Sequence, residues 1–287
     1  MFFGCFYGTT FDTMTQYFDY IDGSHNYNGE KDVNLLNALY PEYFNRKKKK
    51  HTIPHILVMT WKSRNEVPDY VISQWKKFNP KYQLDFYDDE RIIDFLHNEY
   101  GDKYVKFFND MVFGRFKADF FRYCYLYKRG GVYADIDLDP KVSIDSFLND
   151  DSTFFSVRIW RQRFIFQAYL ASAAYHPILK QAIDKIMEIG PRVGIDPPET
   201  SPFGDYHPTR CMYLIIEKLL GREPTTGRWE TPYGPLQLAL EQKVSKKEDG
   251  TGGYHLVAYN NIPIANSRRS SYDQTKGYAV DNNDIEK

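Results

Sequence analysis

The sequence has little cysteine and no long apolar run. These absences argue against a disulfide-rich protein, a cysteine metal site and a membrane span in this sequence. Its 287 residues include three cysteines, Cys5, Cys124 and Cys211, without the spacing of a metal site or a disulfide framework. A reducing compartment, such as the cytoplasm, is therefore the simpler expectation. No run approaches the length of a membrane span, and the first fifteen residues lack the features of a signal peptide. A Golgi-type lumen is the alternative if an anchor lies outside this sequence.

An excess of charge of either sign is also lacking, since the formal net charge is −1. That balance argues against a general electrostatic grip on nucleic acid. Hydrophobic residues make up 42% of the chain and charged residues 26%, so a sizeable core is expected. Aromatic residues are abundant, with 24 Tyr and 21 Phe. Most of them are expected to pack in the core, and stacking on bases or sugar rings is their other possible use.

Apolar runs and helical spacings alternate from residue 53 onward, a pattern typical of an open α/β sheet. Strands are predicted at residues 53–61, 82–87, 132–134, 154–159 and 164–170. Helices are predicted at residues 32–40, 68–79, 88–96, 116–128, 176–189 and 210–220. From residue 221 onward the chain is interpreted as rich in loops.

The acidic sequence Asp135-Ile136-Asp137 is the most informative feature of the chain. It follows Gly130-Gly131 and a short apolar run, so both carboxylates lie at the carboxyl end of a strand, where open α/β sheets bind ligands. Carboxylate oxygens are hard ligands suited to Mg²⁺ or Mn²⁺, and such ions keep open positions that substrate phosphates fill. The pattern therefore predicts a metal–diphosphate site.

The preceding helix carries a second charged pair, Asp119 and Arg122, on one face. If that face meets the strand end, the Arg122 guanidinium stabilises diphosphate charge and the Asp119 carboxylate accepts bonds from hydroxyls. The alternative is a plain ion pair on the helix surface. Further along, Arg158, Arg161 and Arg163 alternate with aromatic residues. That alternation indicates either an exposed strand face or a contact with an acceptor or phosphate.

Three segments resemble the family 32 glycosyltransferases, the group with the DXD sugar-binding signature. IPHILVMTWKS at residues 53–63 resembles the family's opening strand, IPKIIHQxWKS. WKKFNPKYQLDFYDDE at 75–90 resembles its W-x-x-x-NP-x-Y-x-x-x-x-W-DDE segment. ADFFRYCYLYKRGGVYADIDLDP at 118–140 is similar to its core motif almost residue for residue. Yeast outer-chain mannosyltransferases and capsule hexosyltransferases are members of this family.

The resemblance implies a GT-A fold, with one Rossmann-like, mostly parallel sheet flanked by helices. It implies one catalytic domain over residues 1–287, in which 1–50 form an N-terminal extension and 221–287 close the active site. The implied activity is that of a hexosyltransferase that retains anomeric configuration. Its implied donor is a nucleotide sugar, either a UDP-hexose or GDP-mannose, and its cofactor is Mn²⁺ or Mg²⁺. The implied acceptor is a glycan or another hydroxyl compound.

The resemblance also implies roles for individual residues around the donor. Asp135 would lie near the ribose and the ion, and Asp137 would bind the metal. Arg122 and Asp119 would hold the donor sugar. The remaining donor contacts that it implies are Tyr133 in the nucleotide pocket and Thr60 and Trp61 at the base.

Three departures from the family pattern affect this assignment. Gln167 stands where relatives have an asparagine near the donor sugar, and it keeps the amide on a side chain one methylene longer, which would alter sugar choice. Together with Arg122 and Asp137 it is the predicted catalytic set, in which Gln167 would support the oxocarbenium-like state of the sugar. Asn266 would replace a histidine that completes the metal site in relatives. In the same C-terminal segment Ser271 and Tyr272 would close over the diphosphate; the alternative is that residues 266–272 form a polar loop without this role. Val58-Met59 replaces His-Gln, which leaves the base preference open.

Two other functional classes fit the same residues. A non-catalytic module that binds nucleotide sugars or carbohydrates would keep the fold, although the intact acidic residues and Arg122 favour an enzyme. A nucleotidyltransferase also uses paired carboxylates with metal ions, but the sequence has no Gly-rich triphosphate loop. The products distinguish the two enzyme classes, because glycosyl transfer releases a nucleoside diphosphate and no pyrophosphate.

Overall fold

The computed structural model describes residues 36–44, 52–191, 208–244 and 254–267, and the backbone of 272–273 and 278–279. The chain divides into two compact units, Met1–Lys50 and His51–Lys287. In the first unit, residues 36–39 are helical, within the predicted helix at 32–40. The short helix α1, Pro41–Phe44, follows them. No helix among the described residues is long and apolar enough to cross a membrane.

The second unit is an α/β structure whose strands and helices alternate in its first half. Its described strands are β1 Ile56–Thr60, β2 Gln83–Tyr87, β3 Gly131–Ala134, β4 Leu138–Pro140, β5 Phe154–Ile159, β6 Tyr169–Ser172, β7 Gly227–Trp229, β8 Leu236–Val244, β9 Tyr254–Tyr259, β10 Ile262–Ser267, β11 Tyr272–Asp273 and β12 Tyr278–Ala279. Its described helices are α2 Asp69–Phe78, α3 Asp89–Tyr100, α4 Asp102–Asp110, α5 Gly114–Arg129, α6 Pro177–Ile189 and α7 Pro208–Leu220.

Ten of the described strands form one sheet, in the order β2-β1-β3-β6-β5-β8-β9-β10-β4, with β7 on β8. Parallel pairing joins β1 to β2 and β3, and joins β5 to β8. The other pairings within this sheet are antiparallel. The α/β class with flanking helices is confirmed, and the sheet is mixed rather than mostly parallel. The physical reason is that short connections, as between β9 and β10, can join only antiparallel neighbours.

The segment after residue 221 contains more regular structure than the sequence indicated. It supplies β7 to β10, and β8 alone has nine residues. The turn between β9 and β10 consists of Asn260 and Asn261, with φ of 49° and 64°. Asparagine tolerates this left-handed conformation, which a two-residue hairpin needs. These strands matter for the site because β10 pairs with β4, the strand that directly follows the acidic motif.

Aromatic side chains dominate the core, as their abundance predicted. Trp75, Phe120, Phe121, Tyr133 and Tyr169 are among the largest fully buried side chains. The Trp75 ring meets Tyr169 edge-on, with centroids 5.6 Å apart. Such pairs add to the stabilisation from buried area, and they set rigid walls behind the strand ends.

Candidate active site

The carboxyl ends of β1 and β3 lie at the same edge of the sheet because the two strands are parallel. Val58 is opposite Tyr133 in this pair, so Thr60 and Asp135 both follow at that edge. The antiparallel strand β6 begins there with Tyr169, which is opposite Ala134. The topology therefore places the acidic motif beside the segment that leads into β6.

Two glycines allow α5 to end directly in β3. Gly130 ends the helix with φ 68°, and its N–H donates to the Leu126 carbonyl over 2.9 Å. Gly131 has φ 112°, and a Cβ there would lie 2.9 Å from the Ile56 carbonyl oxygen. Only glycine suits both the left-handed backbone and this close approach to β1. The helix bearing Asp119 is thereby held tightly against the strand that leads to Asp135.

The Arg122 guanidinium is buried at the centre of the site. Its Nη2 lies 3.3 Å from Asp119 Oδ1 and 3.2 Å from Asp135 Oδ1. Its Nη1 donates to the backbone carbonyl of Gln167 over 2.7 Å. The guanidinium carbon lies 4.2 Å from the centre of the Tyr133 ring. The predicted meeting of helix face and strand end is therefore present, and one arginine joins the two acidic residues.

Asp135 is held in place from three directions. The Tyr133 hydroxyl donates to its Oδ1 over 2.7 Å, alongside the contact with Arg122. Its backbone N–H donates to the Ala168 carbonyl over 2.9 Å. These contacts use Oδ1, and no described residue binds Oδ2 of this partly exposed side chain. Tyr133 itself is fully buried, and its hydroxyl is engaged by Asp135.

The charges of this network shift one another's protonation. Burial raises the pKa of Asp119 from 3.8 to about 7, with Arg122 opposing and Asp135 reinforcing the rise. Burial lowers the pKa of Arg122, but Asp135, Tyr133 and Asp119 together outweigh this effect, so the pKa is raised overall. Arg122 is therefore a permanent buried cation between a carboxylate that titrates near neutrality and the acidic motif.

Gln167 lies in a bulge between β5 and β6. Phe155 is opposite Ala171, whereas Arg158 is opposite Ile165, so the returning arm has three more residues between these pairs. The bulge turns the Gln167 and Ala168 carbonyls towards the site. This explains why the predicted strand at 164–170 begins only at residue 169.

The side-chain amide of Gln167 is buried without ordinary partners. Neither Oε1 nor Nε2 forms a hydrogen bond of normal geometry with a described residue. The amide does lie close enough to the Tyr123 hydroxyl to lower the raised pKa of that phenol slightly. A buried amide left unpaired costs about 1–3 kcal/mol. The Gln167 amide therefore has unused hydrogen-bonding capacity beside Arg122.

Thr60 and Trp61 sit at the predicted edge, each with a hydrogen bond of its own. The Thr60 hydroxyl donates to the Tyr87 carbonyl over 2.8 Å. The Trp61 indole N–H donates to Glu66 over 3.1 Å. Any contact of Trp61 with a base would therefore use the indole ring rather than its N–H.

The strand after the acidic motif, β4, is anchored by Trp75, the first residue of the segment at 75–90 that resembles the family. The Trp75 indole N–H donates to the Leu138 carbonyl over 3.1 Å. Asn79 ends the same helix, and its side-chain oxygen accepts the Ile144 N–H over 2.7 Å. Both belong to the W-x-x-x-NP segment. The sequence showed this motif, but not that its side chains bond to β4 and to the segment that follows it.

The side chains around the acidic motif offer oxygen donors suited to a divalent cation. Among the described residues, no three His, Cys, Asp or Glu side chains converge on one point. Asp135 Oδ2 and the half-buried Asp137 are hard oxygen donors at the strand end. Asn266 on β10 is opposite Asp139, not Asp137. Mg²⁺ sites commonly use one or two carboxylates and complete their shell with phosphates and water, so these residues fit such an ion.

The last two predicted donor contacts are not tested by the structure. Ser271 lies outside the described residues. Tyr272 begins β11, for which only the backbone is described. Of the other assigned residues, Asp119, Arg122, Tyr133, Asp135 and the Gln167 backbone are joined in one network.

Comparison with known proteins shows a similarity to glycosyltransferases. The matching family model is described as a glycosyltransferase sugar-binding region containing a DXD motif, and it covers residues 66–154. That region contains α2, β2, α5 and the acidic motif. Over that region the sequence is similar to this glycosyltransferase family, in agreement with the motifs at residues 75–90 and 118–140.

Similar proteins include yeast mannosyltransferases. Inositol phosphoceramide mannosyltransferase 3 of Schizosaccharomyces pombe is 28% identical over 134 residues, 46% of this chain and 36% of that protein. Initiation-specific alpha-1,6-mannosyltransferase of Saccharomyces cerevisiae is 32% identical over 111 residues, 36% of this chain and 23% of that protein. The chain thus spans about a third or less of the length of these relatives. The solved PaToxG glycosyltransferase aligns over 71% of this chain with a TM-score of 0.42 and 14% identity, too distant to bear on function.

Proposed function

We propose that this protein transfers a hexose from a nucleotide diphosphate sugar to a hydroxyl acceptor, with retention at the anomeric carbon. The observation that carries the proposal is the buried Arg122 guanidinium, which lies against Asp135 of the acidic motif. The departing diphosphate gains negative charge in the transition state, and a fixed cation beside it lowers the barrier. The names of the relatives make GDP-mannose the first donor to test, and a UDP-hexose the second.

A divalent cation, Mn²⁺ or Mg²⁺, would be held by Asp135 and Asp137, with Asn266 as a proposed further ligand. Bound there, it would neutralise charge on the diphosphate as a Lewis acid. The protein's own residues contribute orientation. Tyr133 and Arg122 engage Oδ1 of Asp135, which would leave Oδ2 for the ion.

Retention by front-face attack suits this network better than a double displacement. The carboxylates of Asp119 and Asp135 each have an oxygen engaged by Arg122, so neither is presented as a free nucleophile. In front-face attack the acceptor hydroxyl bonds to the anomeric carbon as the carbon–oxygen bond to the diphosphate breaks. The leaving phosphate oxygen takes the acceptor's proton, so no protein nucleophile is needed.

Two further side chains are proposed to bind the donor sugar. The Arg122 guanidinium lies between Asp119 and the acidic motif. The Asp119 carboxylate oxygens would accept hydrogen bonds from hydroxyls of the donor sugar. The Gln167 amide gains the partners that the described residues do not supply. If so, replacing Gln167 with alanine weakens donor binding, and replacing it with asparagine changes the preferred sugar.

The central test is Asp137→Ala, with Asp110→Ala at the exposed end of α4 as the matched control. Turnover of GDP-mannose and UDP-hexoses is measured with Mn²⁺, by release of nucleoside diphosphate. We expect Asp137→Ala to lose roughly 100-fold or more in turnover, because charge on the leaving group is no longer offset. The control should match the wild type, and pyrophosphate should be absent among the products.

Donor binding is followed in the same variants by thermal stabilisation, since a ligand that binds only the folded state raises its stability. Loss of Mn²⁺-dependent stabilisation in Asp137→Ala, with an unchanged urea midpoint, would locate the defect in the site. Wild-type turnover in Asp137→Ala would contradict the metal assignment. Pyrophosphate release would instead favour a nucleotidyltransferase.

A further inference from the structure

A tight hairpin tip projects from the sheet beyond β5. Residues 160–163 form the turn, closed by a hydrogen bond from the Ile159 N–H to the Phe164 carbonyl over 3.1 Å. The Trp160 N–H donates to the Glu241 carbonyl on β8 over 2.8 Å, which fixes the base of the tip. The returning arm then leads into the bulge that holds Gln167.

This tip lies at the same edge of the sheet as the acidic motif. β6 is antiparallel to both β3 and β5, so β5 runs parallel to β3. Val132 and Phe155 are both opposite Ala171, which places Arg158 at about the level of Asp135. Two strand spacings separate β3 from β5, and Trp160 extends two residues further, so it lies on the order of 10 Å from the motif. That separation suits a ligand placed next to a donor sugar.

Trp160 and Arg161 at the tip form an exposed stacked pair. The Trp160 side chain is 49% exposed, the highest value among the large aromatic residues described. The Arg161 guanidinium carbon lies 4.3 Å from the centre of the indole ring. A cation over an indole face is held by the ring's charge distribution, while its N–H groups stay available at the edge.

Backbone strain at Arg161 indicates that its side chain is needed. Its φ is 55°, a left-handed conformation in which glycine or asparagine would cost less. Strain of this kind is typical of functional positions that the surrounding fold holds in place. The tip therefore carries an arginine where folding alone favours another residue.

In the part of the chain that the structure describes, two of the three arginines at or beside the hairpin tip pair with glutamates, and the third does not. Arg158 pairs with Glu223, and Arg163 pairs with Glu217. Arg161 has no acidic partner among the described residues, and its one recorded contact there is with the Trp160 ring. An unopposed guanidinium beside an open aromatic surface suits a ligand that is both a sugar and an anion.

We propose that Trp160 and Arg161 form the acceptor subsite for a sugar that carries a phosphate group. The sugar ring stacks on the exposed surface of the indole, and the Arg161 guanidinium binds the phosphate oxygens. This orientation would point the acceptor towards the motif edge. The inference rests on the proposed function, because it assigns the second substrate of the same site.

The test measures binding of mannose 6-phosphate and of the neutral methyl α-mannoside by ligand-observed NMR. Trp160→Ala removes the ring, Trp160→Phe keeps one, and Arg161→Gly removes the charge while relieving the left-handed strain. The matched control is Trp229→Ala, since Trp229 also stacks with an arginine, Arg222, at 4.4 Å. Trp229 is opposite Leu236, at the other end of β8 from the tip.

We expect the wild type to bind the phosphorylated sugar about fivefold more tightly than the neutral one. Trp160→Ala should weaken both sugars about fivefold, with partial recovery in Trp160→Phe. Arg161→Gly should remove the preference for phosphate without lowering stability, and Trp229→Ala should match the wild type. Equal binding in the wild type and Trp160→Ala, or no binding to the wild type at about 10 mM, would overturn the proposal.

Nucleotide binding separates this inference from the proposed function. GDP and UDP with Mn²⁺ should stabilise the wild type and Trp160→Ala equally. If neither nucleotide binds any variant while mannose 6-phosphate still depends on Trp160, the proposed donor site fails and the sugar-phosphate subsite stands. If nucleotides bind and the sugars do not respond to Trp160, the subsite fails alone.

Discussion

Asp119→Asn is expected to make the protein more stable at neutral pH and to leave its stability unchanged in acid. Burial raises the pKa of Asp119 from 3.8 to about 7, so the folded protein keeps a proton that the unfolded chain releases. As pH rises through this window, the unfolded state loses its proton first, and the wild type loses stability. Asparagine resembles the protonated acid in shape and does not titrate.

The size of the stability difference follows from the difference between the two pKa values of Asp119, 3.8 in the unfolded chain and about 7 in the folded protein. A tenfold change in proton affinity corresponds to about 1.4 kcal/mol, so ionising buried Asp119 destabilises the fold by up to about 4 kcal/mol. The neighbouring Arg122 cation opposes the rise and is already part of the shifted value. The advantage of Asp119→Asn over the wild type should therefore grow from near zero at about pH 4 to its full value above about pH 7.

Urea unfolding at a series of pH values measures this difference directly. Tryptophan fluorescence reports the transition, and a chelator keeps metal ions from stabilising the folded state. Asp110→Asn, at the exposed end of α4, reports the effect of losing a surface carboxylate. An advantage for Asp119→Asn that stays constant with pH, or shrinks as pH rises, would refute the reasoning.

The remaining predictions concern the residues that hold the acidic motif. Arg122→Met should cost about 3–5 kcal/mol in urea unfolding, since it leaves buried Asp119 and partly exposed Asp135 without their cation, and a loss under 1 kcal/mol would argue against the network. Tyr133→Phe should lower stability by about 1 kcal/mol and weaken donor binding in a thermal-shift titration, because Asp135 loses a 2.7 Å hydrogen bond. Gly131→Ala should lower the melting temperature sharply, since its φ is 112° and its Cβ would approach β1 at 2.9 Å. Gly114→Ala, where no atom lies within 4 Å of the added carbon, should be neutral or stabilising.

Local patterns predicted the first half of the fold well. The apolar run before Trp61 became β1, and the helical spacing around Trp75 became α2. The Gly130-Gly131 pair marked the end of α5 because it combines a left-handed cap with a close strand contact. Periodicity of two or 3.6 residues is a property of neighbours along the chain, so it is readable without tertiary structure.

The pairing of β8, β9, β10 and β4 was not readable in this way. β4 has three residues, too few to show a period. β10 contains Pro263 and Asn266, which are uncommon inside strands. Their place in the sheet is decided by partners distant along the chain, as where Asn266 meets Asp139. The bulge at Gln167 was missed for the same reason, since it exists only relative to two neighbouring strands.

The features of the site likewise fall into those that sequence spacing determined and those that tertiary structure decided. The order of the chain alone determined that two carboxylates follow a buried strand, and that a helix with Asp119 and Arg122 on one face precedes it, because both facts depend on spacing. Tertiary structure decided that Arg122 joins Asp119 to Asp135 and that the hairpin tip with Trp160 lies at the same edge. Contacts of this kind form between side chains far apart in sequence, and only the packing of α5, β3 and β6 brings them within bonding distance.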